Sequence, residues 1–288
     1  MFSHKKVTLK LNIMKNSILK YGLLVFISGV FVGCDTDEAN DQTTEPLNQE
    51  EVELTAKVDN ATEVISDTFL QIYEVEESLV KSPIHPFLPE CALVTVEITN
   101  TSKEVTVDFG TEGCEVRGGN VLKGIVKMSY VSNIDASTLV INYELVDFFI
   151  NEVEFEGAKT ITRQRTNENG NPQYAMNLDL SITFEDGSQA SRKGTKVREW
   201  IEGSFNGNWG DNVFLITGEW ETNFVNGNVH STTIVEPIRR EASCKFIVSG
   251  IVNLVRTNYS GVLNYGDGVC DNKAVFTNVD GDEQEIQL

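Results

Sequence analysis

Residues 176–184 read Met-Asn-Leu-Asp-Leu-Ser-Ile-Thr-Phe, and this stretch decides the fold class. Met176, Leu178, Leu180, Ile182 and Phe184 alternate with Asn177, Asp179, Ser181 and Thr183. Strict alternation is the period of a β-strand buried on one face. On either side stand turn dipeptides: Asn169-Gly170, Asp186-Gly187, Asn206-Gly207, Asn226-Gly227 and Asp280-Gly281. Such pairs mark hairpin turns, where glycine readily supplies positive φ. Gly187, Gly207 and Gly227 are 20 residues apart, which leaves long strands between turns. Sequential long strands joined by short turns predict an all-β, long-stranded antiparallel meander over residues 90–288, a curled sheet or barrel-like. Residues 188–198 (SQASRKGTKVR) are polar on both faces, which argues against a lipid-facing band and for a soluble domain.

Upstream the period changes. Val58, Ala61, Ile65, Thr68, Ile72, Val75 and Leu79 recur every three or four residues, with Glu63, Asp67, Glu74 and Glu77 off that stripe. This predicts one N-terminal amphipathic helix over 58–80, capped by Asp59 or Asn60 and ended by Pro83 and Pro86. Such a helix is expected to pack across a sheet face or a barrel mouth, with a short coiled coil as the alternative. Residues 55–89 thus form a helix and a Pro-rich connector.

The first 33 residues read as a secretory signal: five lysines and no acid in residues 1–20, then the apolar run Tyr21–Val32 and Gly33. That run is too short to span a bilayer, which needs roughly 20 apolar residues. Met14 could equally be the start. Phe31-Val32-Gly33-Cys34 resembles a bacterial lipobox, although Phe31 stands where Leu is commonest. The resemblance implies cleavage before Cys34 and its acylation, and two or three acyl chains anchor a protein stably where one does not. Residues 35–54 carry eight acids and no base, so residues 34–54 are expected to be a lipidated Cys followed by a disordered acidic tether. Acids directly after the lipid Cys resemble the export signal of surface lipoproteins in the Bacteroidota. Asp immediately after the Cys also resembles the inner-membrane retention signal of enterobacteria.

With Cys34 assigned to lipid, Cys91, Cys114, Cys244 and Cys270 remain in an oxidising compartment. Each pair flanks two predicted strands, and a hairpin returns the chain to its starting end. Local pairing, Cys91 with Cys114 and Cys244 with Cys270, is therefore expected among the three connectivities the sequence permits. Each bridge would close a loop of about 25 residues, worth roughly 3 kcal/mol in the chain-entropy picture. The motifs Cys91-Ala-x-Val-Thr-Val, Thr106-Val-Asp-Phe-Gly-x-x-Gly-Cys114 and Tyr265-Gly-Asp-Gly-x-Cys-Asp-Asn-Lys-Ala274 resemble a family of uncharacterised Bacteroidota (flavobacterial-type) envelope lipoproteins. The likeness covers most of residues 90–288. It implies a β-rich outer-membrane lipoprotein, exposed at the cell surface, and supplies no activity or site residues.

The chain carries 43 acidic and 23 basic side chains, a net charge of −20, which argues against a nucleic-acid partner. The expected partners are the membrane, through the lipid anchor, and a glycan or another envelope protein. No GxSxG elbow occurs, and His85 and His230 have no triad partners beside them, so no catalytic residue is assigned. No CxxC or phosphate-binding motif occurs, and neither metal nor cofactor is expected. Asn278-Val-Asp280-Gly-Asp282 has alternating oxygens but lacks the EF-hand pattern, and reads as a hairpin turn.

Three tryptophans fall between residues 200 and 220. Trp220 is in phase with Phe214 and Ile216 and reads as core. Trp200 and Trp209 stand beside polar or Gly/Asn neighbours and are the candidate ligand-binding residues, as exposed stacking faces for a sugar. A basic cluster, Arg163, Arg165, Arg192, Lys193, Lys196 and Arg198, would form a cationic patch if its two strands were neighbours, or pair across strands with acids. The leading expectation is a non-catalytic, lipid-anchored binding or scaffolding protein. The alternatives are a carbohydrate-binding accessory lipoprotein and a polymer-degrading enzyme using paired carboxylates.

Overall fold

The computed structural model describes residues 47–77, 88–116, 118–131, 136–257 and 259–288. The signal segment, Cys34, most of the acidic tether, His85 and the Pro-rich connector lie outside the described residues. The chain is all-β with one helix, α1 (Gln49–Glu77), as its pattern predicts. The strands are β1 (Leu93–Ile98), β2 (Lys103–Asp108), β3 (Cys114–Glu115), β4 (Val121–Tyr130), β5 (Thr138–Ile150), β6 (Val153–Gln164) and β7 (Gln173–Thr183). They continue as β8 (Gln189–Glu202), β9 (Val213–Phe224), β10 (Val229–Glu241), β11 (Ser249–Arg256), β12 (Tyr259–Asp267), β13 (Lys273–Asn278) and β14 (Glu283–Gln287).

Apart from the two-residue β3, which pairs only with β4, every strand lies beside its neighbours in sequence. All the ladders are antiparallel. The strands β4–β10 are 10 to 14 residues long, and each 20-residue glycine interval spans one strand with its loop, β8 and then β9.

Four of the five turn dipeptides share one geometry. At the β7–β8 turn the Phe184 N–H donates to the Ser188 carbonyl and the Gly187 N–H to the Phe184 carbonyl. The same pair of bonds recurs at 167–171, 224–228 and 278–282. Only the glycine has positive φ, 82° at Gly187, so each is a three-residue loop closed by a glycine bulge. The two-residue left-handed turn is instead built at Asn151-Glu152, with φ of 50° and 70°, where no glycine announces it. Asn206-Gly207 lies within the longer β8–β9 loop.

Bulges bend the sheet. Between Lys123 and Ile125 the β4–β5 register slips at Gly124, which has φ of 82°. A Cβ there would lie against the Asp147 carbonyl, so only glycine allows the two strands to approach at that bend. The curled sheet closes around α1. From Val58 to Glu74 every helix residue except Ala61 is buried. Side chains of β6, β7, β8, β10, β11 and β12 reach the helix from different directions.

The helix is therefore an interior element rather than one lying across a face, and its acidic face is buried along with its apolar one: Glu63, Asp67 and Glu74 are 0%, 6% and 2% exposed, Ile65 and Ile72 4% and 0%. It also begins nine residues earlier than the apolar stripe, within the segment expected to be tether. Asn48 caps it, accepting the Glu51 N–H at 2.9 Å while its own N–H donates to Glu51 Oε2 at 3.3 Å. This reciprocal cap replaces the expected cap at Asp59 or Asn60, which lie mid-helix.

Both local disulfides are present, Cys91–Cys114 and Cys244–Cys270, with Cα separations of 5.9 and 5.7 Å. Their hairpins belong to the two ends of the meander. Gly118 packs on the backbone of Lys245, so the curl brings these two ends into contact.

Candidate functional site: an ion-paired helix and its tryptophan loop

Three acids at four-residue steps, Asp59, Glu63 and Asp67, line one face of α1 over about 12 Å. They meet β8, whose alternate side chains point inward. Arg192 Nη1 lies 2.6 Å from Asp59 Oδ1, Lys196 Nζ 2.7 Å from Glu63 Oε1, and Arg198 Nη2 2.6 Å from Asp67 Oδ1. A second arginine, Arg240 of β10, holds the other Asp67 oxygen at 2.9 Å. Tyr265 of β12 donates to Asp59 Oδ2 at 2.6 Å.

The array runs on toward the helix start. Arg256 of β11 contacts both Glu51 oxygens at 2.7 and 2.9 Å, and Thr55 hydroxyl lies 3.1 Å from His230 Nδ1. Burial acts to raise the Glu51 pKa. His230, the Asn48 backbone N–H and the Arg256 charge outweigh it and hold the carboxyl below its ordinary range. Toward the helix end, Arg163 of β6 donates to Tyr73 hydroxyl at 3.0 Å.

Aromatic rings form the floor under the cations. Gly194 leaves room for Trp220, since a Cβ there would overlap its backbone and Cβ. The Trp220 ring then lies 4.3 Å from Lys196 Nζ and 5.3 Å from the Arg192 guanidinium, and Phe214 lies 4.3 Å from Arg198. A cation over a ring face is favoured most where water is excluded. Trp220 is core, as its phase predicts.

The expectation of exposed tryptophans is corrected. Trp200 is 1% and Trp209 4% exposed, so neither presents a stacking face to a sugar. They pack together at 6.0 Å, and Phe214 and Phe205 each lie 5.2 Å from the Trp200 ring. Trp200 Nε1 donates to Asn212 Oδ1 at 3.1 Å, which satisfies the indole inside the protein. Inward alternation along β8 buries Trp200, and the short turn Trp209–Asp211 tucks Trp209 under the 203–212 loop.

The basic cluster is redistributed as well. β6 and β8 are separated by β7, so the two sets of bases are not neighbours. Arg163, Arg192, Lys196 and Arg198 are buried, while Arg165 and Lys193 face outward. The partners of the three buried β8 bases are helix acids rather than cross-strand acids. Polarity on both faces of residues 188–198 thus arises from solvent on one side and the acidic helix on the other.

Glu74 is the exception among the helix acids. It is 2% exposed, and neither carboxylate oxygen makes a hydrogen bond among the described residues. Burial pushes its pKa up to about 7, with Asp211 adding to the rise and the Asn212 side chain and the Phe205 and Gly207 backbone opposing it. Helix end and tryptophan loop therefore meet at a carboxyl poised to carry a proton near neutrality.

The catalytic chemistry open to this arrangement is narrow. Asp59, Glu63 and Asp67 are carboxylates at useful spacing, but each is buried and paired with a base. His230 is wholly buried against Thr55 and Phe224. Asn278 Oδ1 accepts the N–H groups of Asp280 and Asp282, so that motif is a hairpin turn. Among the described residues no group of three or more His, Cys, Asp or Glu is arranged to hold a metal ion. A small cleft between α1 and the strand ends, lined by Asp67, Gln71, Asn120, Trp209 and Arg240, has room for about one water molecule. No protein-family model, curated protein or solved structure matches this chain.

Proposed function

We propose that this chain is a lipid-anchored envelope protein of the outer membrane, facing the cell surface, whose β-domain serves as a non-catalytic binding or scaffolding body. The anchor rests on the lipobox-like Phe31-Val32-Gly33-Cys34 and the acidic residues that follow it. Two local disulfides suit an oxidising compartment. The observation that carries the scaffolding part is the filled interior. Helix α1 occupies the space inside the curled sheet and is tied there by buried ion pairs, which leaves the outer surface to meet a partner. Another envelope protein fits that surface better than a glycan, because the tryptophans that motivated a sugar are buried.

The test is metabolic labelling with an alkyne fatty acid, followed by membrane fractionation and protease treatment of intact cells. The wild-type chain is expected to take up label, sediment with outer membranes and be clipped from outside. Cys34→Ala is expected to lose the label. An unlabelled wild-type chain recovered in the soluble fraction would overturn the anchor.

A further inference from the structure

An open meander has two edges, and here they are treated differently. At β14 the Leu288 N–H donates to the Asn272 carbonyl, so Glu283, Glu285 and Gln287 turn their backbone groups outward. That edge is guarded. Gln49 of α1 donates to the outward Glu285 carbonyl at 3.4 Å, and Glu283 and Glu285 put exposed negative charge along it.

Among the described residues no such guard lies along the β1 edge. The Thr99 N–H donates to the Ser102 carbonyl, which turns the odd residues of β1 toward β2. The outward N–H and C=O groups therefore belong to Val94, Val96 and Ile98, and no described strand pairs with them. β1 has no Pro, Lys or bulge, and Glu97 is its only charge. Leu93, Val96 and Ile98 are 66%, 36% and 65% exposed. The Cys91–Cys114 bridge ties the strand's entry to β3, so this edge is held in place.

We propose that the β1 edge is a docking strand for a second copy of this chain, pairing antiparallel with its own β1 about a two-fold axis at Val96. The residues are self-complementary in that register. Val94 faces the copy's Ile98 and Val96 faces the copy's Val96, which places apolar side chains together on one face. On the other face Thr95 meets Glu97 of the copy, so the two Glu97 carboxylates are not opposed. The three outward-turned residues are the ones that exchange backbone bonds, about six in all. A two-fold pairing closes at the dimer, whereas β1 on the copy's β14 would propagate and would meet the acidic, helix-guarded edge. The inference stands on edge geometry and is independent of the lipid anchor.

The full chain in detergent tests it by sedimentation across a roughly hundredfold range of concentration. The wild type is expected to shift from monomer to dimer as concentration rises, because one short strand pair gives a weak contact. Val96→Pro removes an N–H that no β2 carbonyl uses and is expected to stay monomeric with an unchanged melting temperature. Independently, Val96→Cys should be captured as a dimer by a short thiol cross-linker, and Thr95→Cys much less, since only Val96 faces itself. A wild type that stays monomeric while Val96→Cys remains uncross-linked would overturn the proposal. So would a Val96→Pro chain that dimerises like the wild type, or a ladder of species beyond the dimer.

Discussion

Strands β7 and β8 are antiparallel neighbours inside the same curl, and their inward faces are opposites. β7 presents Tyr174, Met176, Leu178, Leu180 and Ile182, while β8 presents Ala190, Arg192, Gly194, Lys196, Arg198 and Trp200. Both sets are buried apart from the side-chain-free Gly194. A strand interior is therefore not apolar by necessity; it has to match what it faces. β7 meets Tyr73 and Ser66, through Tyr174 and Met176, and β8 meets Asp59, Glu63 and Asp67. The two solutions differ in what they specify. Apolar contacts are non-directional and tolerate sliding, whereas each buried base is aimed at particular helix oxygens, Arg198 at Asp67 and more distantly Glu63, Lys196 at Glu63 and Thr62. Desolvation consumes much of the Coulombic gain of a buried pair, so the ionic half is expected to set helix register more than overall stability.

The largest effect should come from removing one member of the ionic half. Asp67→Ala leaves Arg240 buried without its carboxylate and Arg198 with only Glu63 at 3.7 Å, and a loss of about 3–5 kcal/mol is expected in chemical denaturation. Replacing both members of a pair, Asp59→Leu with Arg192→Met, should cost far less than either change alone. A double variant as unstable as the sum of the singles would show that β8 depends on its charges as such.

The apolar half should respond through packing. Leu180→Ala empties volume in β7 and is expected to cost about 3 kcal/mol by the same measurement. A value near zero would mean that β7 and the helix adjust freely against each other, removing the contrast between the strands.

The smallest expected effect sharpens the boundary between the two halves. Glu74 holds its proton up to about pH 7 in the folded chain but would release it near its ordinary 4.5 when unfolded. Between those values the folded state binds more protons, so this group makes stability fall as pH rises from about 4.5 to about 7. Glu74→Gln should flatten that part of the melting-temperature profile and leave the chain more stable than wild type at pH 8. A profile unchanged by the substitution would mean that loop 203–212 admits water to the carboxyl.

Much of the sheet was legible because its information is local. Alternation at 176–184, glycine at the third position of the three-residue loops and hairpin-flanking cysteines each act within a strand, a turn or a single pair of strands. The helix itself is legible from its apolar stripe, but the burial of its acidic face is not, because that face becomes interior only when β8 supplies its counter-charges. Both halves of the seam were visible, as acids at 59, 63 and 67 and as bases at 192, 196 and 198. Nothing in either stretch records that the other lies opposite. Trp200 and Trp209 were misplaced for the same reason, since polar neighbours in sequence say little about a face buried by alternation.

The sequence by itself determined the antiparallel meander, the length of its strands and the local pairing of its four cysteines, because short-range backbone chemistry and loop closure decide these. Only the tertiary structure decided that the sheet curls around its helix, that the charges of β8 are interior and that the tryptophans are core. The first two depend on contacts more than a hundred residues apart, where a charged side chain is stable inside only if its counter-charge arrives from another part of the chain, and the third on how the 203–212 loop folds back over β8.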